Sequence, residues 1–201
     1  MSEINTQDQK PTPEEQKPEI QDGIGKKIFK SLKGFLIPII VGCIAGLLLV
    51  TFVIQKHNVS GDSMYPTLHN NDVLIVDKIS RNFRDFQRGE IVVVEHSKLN
   101  SSRINSDIIK RIIGIPGDSI IIIDGNVYVN SITIQEDYLS PGTQTQMPNS
   151  AAYEITLGED EYFCLGDNRS ISLDSRVLGP IPKNCIRGTA FFRISPSFGG
   201  L

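Results

Sequence analysis

Ser119-Ile120-Ile121-Ile122-Ile123-Asp124-Gly125-Asn126-Val127-Tyr128-Val129-Asn130 reads as a β-hairpin. Four consecutive isoleucines are stiff at χ1 and suit an extended backbone. Asp124-Gly125 is a pair that accepts the positive φ angles of a two-residue turn, and Val127-Tyr128-Val129 resumes the strand. Similar signals lie on either side. Asp72–Val76 is a short apolar run, Glu90–Glu95 contains Ile91-Val92-Val93-Val94, and Ile108–Ile113 leads into the turn Pro116-Gly117-Asp118. Tyr162–Leu165 and Thr189–Ile194 add further β-branched and aromatic positions. Ser140–Ser150, rich in Pro, Gly, Thr, Gln and Asn, reads as an exposed loop. No long helical period and no internal repeat interrupts this pattern. Residues 56–201 are therefore expected to form one mostly-β domain of antiparallel sheets.

The N-terminal quarter has a different composition. Met1 to about Asp22 is polar, with three prolines and almost no large apolar side chains. Such a segment cannot bury enough surface to offset its ordering entropy. Lys26, Lys27, Lys30 and Lys33 follow, so residues 1–33 are expected to form a disordered tail ending in a basic juxtamembrane segment. Phe35–Ile54 then runs for twenty residues without a charge. At about 1.5 Å per residue this spans about 30 Å, the thickness of a bilayer's hydrocarbon core. A single transmembrane helix is expected over 34–55, and such helices tolerate residues like Pro38 and Gly42. Gln55-Lys56-His57-Asn58-Val59 offers no small-x-small cleavage site, so the helix reads as a retained anchor. The lysines on its N-terminal side place the tail in the cytoplasm and residues 56–201 on the extracytoplasmic face.

With 201 residues, 39% hydrophobic and 21% charged, the chain has room for one domain and an appended segment and is too apolar to be wholly disordered. A formal net charge of −3 disfavours a general nucleic-acid binder. Three cysteines cannot make a disulfide scaffold; Cys164 and Cys185 read as buried thiols or, facing an oxidising compartment, as a disulfide pair. His57, His69 and His96 show no metal-ligand spacing and read as solvated loop residues, so neither a metal nor a cofactor is expected. Gly23-Ile24-Gly25-Lys26-Lys27 lacks phosphate-loop spacing, and no Ser-x-x-Lys motif occurs.

Without a suitable histidine, nucleophilic chemistry falls to Ser and Lys. In Val59-Ser60-Gly61-Asp62-Ser63-Met64-Tyr65-Pro66-Thr67-Leu68, Ser63 follows a Gly-Asp turn that can aim backbone N–H groups at one point, although a turn serine fits equally. Strand alternation puts Lys110 on one face with Ile108 and Ile112, and Arg111 on the other. A lysine held among isoleucines loses solvation, which favours the neutral amine that can take a serine proton; one on an edge strand would snorkel and stay charged. Gly166-Asp167-Asn168-Arg169-Ser170-Ile171-Ser172-Leu173-Asp174-Ser175-Arg176 is either a solvated loop or a platform of Asp–Arg pairs.

Taken together and in order, the Ser60–Leu68 segment, Lys110-Arg111-Ile112-Ile113-Gly114-Ile115-Pro116-Gly117-Asp118 and the Gly166–Arg176 segment resemble the motif boxes of type I signal peptidases. The resemblance runs from about Phe35 to the C-terminus and implies a signal-peptidase-like β domain on one N-terminal transmembrane helix, as in the shorter members. It makes Ser63 the nucleophile and Lys110 the general base. Ser172 matches the hydroxyl that orients the lysine amine, and Met64 matches a packing residue beside the nucleophile. Asp167, Asp174, Arg111 and Arg176 match the supporting polar shell. Some members carry a serine where this chain has Gly61, which leaves the oxyanion chiefly to the Ser63 backbone N–H. Ser170 stands where many members have aspartate. The implied reaction removes signal peptides from exported preproteins through an acyl-enzyme, with Lys56–Gly61 the edge for an extended substrate. Membrane lipid and the export translocon are the other expected partners. A repressor-type Ser/Lys protease would need a DNA-binding segment and a cytoplasmic location. A membrane-anchored binding protein that had lost catalysis would be expected to lack Ser63 or Lys110, and both are present.

Overall fold

A computed structural model describes residues 21–99, 106–149, 152–195 and 199–200. The chain divides into two units, Met1–Leu47 and Leu48–Leu201. One helix, α1 (Gln21–Val53), contains Pro38 and takes in the basic lysines as well as most of the apolar run. Of the tail expected over 1–33, positions 1–20 lie outside the described residues. The described side chains of α1 over 32–48 are all exposed, among them Phe35 and Leu47 at 74% and 70%. Among the described residues no helix is long and apolar enough to cross a membrane; those side chains stop short of the full run 35–54 on which the transmembrane expectation rests.

The second unit is built of antiparallel strands, as expected. They are β1 (Ile54–Asn58), β2 (Val73–Asp77), β3 (Ile91–Val94), β4 (Ile108–Gly114), β5 (Ser119–Ile123), β6 (Asn126–Val129), β7 (Ile132–Thr133), β8 (Ala152–Thr156), β9 (Glu161–Leu165), β10 (Ile181–Pro182), β11 (Ile186–Ser195) and β12 (Gly199–Gly200). An eight-stranded sheet runs β1-β2-β11-β3-β4-β9-β10 with β12 on β11, and a four-stranded sheet runs β7-β6-β5-β8. The hairpin pairs Ile120 with Val129 and Ile122 with Val127. Its turn has φ 50° at Asp124 and 78° at Gly125, the two positive angles that the Asp-Gly pair supplies.

β4 holds the architecture together. Flanked by β3 and β9 and covered on both faces, it is buried from Ile109 to Gly114. Ile109 joins a cluster with Met64, Leu68 and Leu74; Ile112 joins one with Val92, Tyr162 and Cys164. Ile113 joins Phe163 and Leu165 of the large sheet to Ile120, Ile122 and Val127 of the small one, so the two sheets share a core. Full burial of each such side chain contributes roughly 1.5–3 kcal/mol.

Two expectations need correction. The 140–150 segment is not wholly exposed. Thr145 is buried, because its N–H donates to Gly125 O (2.8 Å) and its hydroxyl meets the Arg169 guanidinium. His96 is also buried, as β3 turns directly into a 3-10 turn at His96–Lys98. Of the two readings for Cys164 and Cys185, the structure has the buried free thiols, both within one cluster, and burial pushes both thiols up.

Candidate active site

The loop after β1 is tied at its ends: Val59 N–H donates to Asp72 O (2.8 Å) and Asn71 N–H to Val59 O (2.9 Å). Gly61, at φ +85°, donates its N–H to Asn70 Oδ1 (2.9 Å), and Tyr65 N–H closes back on Asp62 O (3.1 Å) around Ser63. Met64 and Leu68, joined by a backbone bond of 2.9 Å, sink their side chains into the core. Apolar burial on one side of the turn thus holds the Ser63 hydroxyl on the other.

Lys110 is brought to that hydroxyl by β4. Its Nζ lies 2.7 Å from Ser63 Oγ and donates to Ile109 O at 2.8 Å. The residue is 3% exposed, which rules out snorkelling. Burial pushes its ammonium down to about 8 from the ordinary 10.5; Asp174 and Asp167 oppose that shift and Arg176 adds to it. Ile112 and Ile108 pack in and against the cluster that contains Cys164, and Cys164 is among the groups that face Lys110. A serine hydroxyl hydrogen-bonded to a lysine whose ammonium is lowered by burial has the chemistry that a nucleophile–base pair requires. Both line a small open cleft of about 90 Å3 with Asn58, Ser60 and Ile108.

The third segment is a platform rather than a solvated loop. Arg111 grips Asp167 with two bonds, Nε to Oδ1 (2.9 Å) and Nη2 to Oδ2 (2.7 Å), and its Nη1 donates to Gly89 O. Thr67, from the serine loop, donates its hydroxyl to Asp167 Oδ2 at 2.5 Å. Asp174 accepts from Gly166 N–H (3.1 Å), is gripped by Arg176 (2.9 and 2.8 Å) and caps the short helix α2 (Ser175–Leu178). Asn168 N–H reaches back to Ser63 O (3.0 Å). The side chains of Asp167 and Asp174 are 1% and 0% exposed, so these charges are compensated by arginines rather than by water.

Ser172 lies close by, but its hydroxyl is buried without a hydrogen-bond partner among the described residues, and the Lys110 bonds go to Ser63 and Ile109. Ser170, in the aspartate position, is exposed and donates to Asn168 Oδ1 (2.8 Å). Sequence reading assigned no role to Thr67, although it sits inside the quoted motif. Nor did it single out Glu136 and Tyr138, which lie outside every motif.

Gly166 packs where nothing larger fits: a Cβ there would stand 2.5 Å from Ser63 O and closer still to the Ser172 hydroxyl. Gly166→Ala is expected to destabilise the unit by roughly 1–3 kcal/mol. It should also slow acylation of Ser63 by a small activated ester, followed by intact mass, because the obstructed backbone is that of Ser63. Acylation at the wild-type rate would contradict that geometry. Among the described residues no group of three or more His, Cys, Asp or Glu side chains could hold a metal ion.

Residues 32–195 match the family described as signal peptidase, peptidase S26. The chain is 41% identical to the probable signal peptidase I-2 of Synechocystis over 150 residues, covering 73% of this chain and 65% of that protein, so it spans just under two thirds of that relative. It is 32% identical to signal peptidase I S of Bacillus subtilis over 87% of this chain and 94% of the relative. A solved signal peptidase I from Enterococcus faecalis is 29% identical, covering 53% of this chain and 97% of its own, with a TM-score of 0.43. The matched span takes in the serine turn, the lysine strand and the Asp–Arg platform. The chain belongs to the signal peptidase family, peptidase S26, as a type I signal peptidase.

Proposed function

We propose that Ser63 and Lys110 are the catalytic dyad of a membrane-anchored endopeptidase that removes N-terminal signal peptides from exported preproteins. The observation that carries this reading is the 2.7 Å bond between Lys110 Nζ and Ser63 Oγ, on a lysine whose ammonium burial pushes down to about 8. The neutral amine takes the Ser63 proton as Oγ attacks the scissile carbonyl, and the resulting ammonium gives that proton to the leaving amine. The amine then activates the water that hydrolyses the acyl-enzyme. The Ser63 backbone N–H, with no partner among the described residues, is the oxyanion donor. Arg111–Asp167 and Arg176–Asp174 hold the dyad's supports, and in this reading the buried Ser172 hydroxyl is the group that orients the amine. The roughly 90 Å3 cleft favours small side chains next to the cut. β1, paired only with β2 among the described strands, offers its open edge to an extended substrate.

Exposed apolar side chains along α1 and the uncharged run 35–54 support a transmembrane anchor. The lysines before that run support a cytoplasmic N-terminus and an extracytoplasmic catalytic unit. Membrane lipid surrounds the anchor in this reading, and the export translocon delivers the substrate. The test is to incubate the full-length protein in detergent with a preprotein and sequence the product's new N-terminus. A cut after a small-x-small site is expected. A cut elsewhere, or none across several preproteins with folding confirmed, would remove the reading.

A further inference from the structure

Glu136 and Tyr138 belong to the segment that follows β7 of the small sheet, far in sequence from the serine turn, the lysine strand and the platform. The structure nevertheless places both against two arginines of the site. The Glu136 carboxylate takes the Arg169 guanidinium on both oxygens, one bond at 3.1 Å and the other, Nη2 to Oε1, shorter. Tyr138 donates its hydroxyl to Glu136 Oε1 (2.7 Å), and its ring lies under the Arg111 guanidinium, 4.0 Å from ring centroid to Cζ. Burial, and then the Glu136 carboxylate, pushes the Tyr138 phenol up, so it remains a donor.

Each contact leads on to the dyad through one or two neighbours. Arg169 is buried and donates Nε to Gly166 O (3.1 Å), and Gly166 packs against Ser63 O. Arg111 follows Lys110 in β4 and holds Asp167. A surface salt bridge would count for little, but the Arg169 side chain is 1% exposed and that of Glu136 14%, so loss of the carboxylate leaves a buried cation uncompensated. Cation–π attraction from Tyr138 similarly fixes the height of the Arg111 plane.

We propose that Glu136 and Tyr138 form a clamp, supplied by the segment that follows β7, that positions the dyad by fixing Arg169 on the nucleophile side and Arg111 on the base side. They are positioning residues, and neither is expected to touch the substrate. The inference rests on the Ser63–Lys110 reading. It deepens that reading by giving the segment after β7 a part in catalysis.

The clamp makes a distinctive demand on kinetics. Losing it loosens both arms of the site without altering the cleft, so turnover should fall while substrate affinity stays nearly constant. Loosening also lets water reach Lys110, which is faced by Asp174, Asp167, Arg176 and Cys164. Better solvation favours the ammonium, so the acid limb of the rate profile should move to higher pH.

Full-length Glu136→Gln and Tyr138→Phe proteins in detergent would be compared with wild type in two assays. One is preprotein cleavage; the other is acylation of Ser63 by a small activated ester, read by intact mass across pH. For Glu136→Gln the expectation is a fall of roughly 10–100-fold in kcat with KM within about 3-fold, and an alkaline shift of the acid limb. Tyr138→Phe keeps the ring under Arg111 and should lose less, roughly 3–10-fold. Glu136→Asp should recover part of the rate. Wild-type rates and limbs in folded variants, or a loss confined to KM, would overturn the clamp. The ester assay tests it even if wild type cleaves no preprotein, an outcome that would instead count against the signal-peptide reading.

Discussion

Replacing Ser63 by Ala, or Lys110 by Met, is expected to lower preprotein cleavage by roughly 10^4-fold or more, because each removal abolishes the step that the other supports. The lysine variant should also gain stability. In the folded protein Lys110 titrates at about 8, against an ordinary 10.5. Below about pH 8 the amine is charged in both folded and unfolded chains, and the folded state bears the full cost of burying that charge. Between about 8 and 10.5 the unfolded chain binds the extra proton, so wild-type stability rises with pH across that window. A shift of that size corresponds to about 3 kcal/mol. Loss of the Lys110 hydrogen bonds offsets part of it. Lys110→Met should therefore unfold about 1–3 kcal/mol later than wild type at pH 7, and the advantage should shrink towards pH 10.5. Urea titrations at several pH values measure this directly. A methionine variant less stable than wild type at pH 7 would mean that Lys110 is not held against its solvation. Cleavage surviving Lys110→Met would mean that another base serves Ser63.

Asp167→Ala carries the second large effect, in the opposite direction. Asp167 balances Arg111 through two bonds and takes the Thr67 hydroxyl, with its side chain 1% exposed. Removing it strands a guanidinium that is 11% exposed, and breaking such a pair costs about 3–5 kcal/mol. Asp167→Asn keeps an oxygen for Thr67 but loses the charge, and should cost less. If Asp167→Ala left the unfolding midpoint unchanged, the platform would be less tightly built than its distances imply. Because Thr67 ties this carboxylate to the serine loop, cleavage should fall alongside stability in both variants.

How much of this was legible depended on how local each signal was. The hairpin carried its own turn chemistry, and the runs at 91–94, 108–113 and 162–165 were dense enough in β-branched or aromatic residues to read as strands. β1, with Gln55, Lys56 and His57, has no such density; its pairing is dictated by β2. β7 and β10 are two-residue strands whose register comes from their neighbours. The desolvation of Lys110 followed from alternation among isoleucines. The Asp–Arg platform could be proposed from composition, but its pairing could not, because two aspartates and several arginines admit many partners. Glu136 and Tyr138 were invisible: each acts through a partner more than 25 positions away, and an acid and a tyrosine in a turn-rich stretch carry no period or spacing. The burial of Thr145 has the same origin.

Among the described strands β1 has one open edge, and an unpaired row of N–H and C=O groups recruits any extended chain, including another copy of the same protein. If a substrate must add there, the edge cannot be protected by a covering helix or loop. Its safeguards are then its length, five residues from Ile54 to Asn58, and the exposed Lys56 at its centre. Two copies meeting edge to edge would bring their lysines together. Lys56 therefore sets a balance between admitting a guest strand and discouraging a twin, and an apolar residue there would tip the balance towards oligomers.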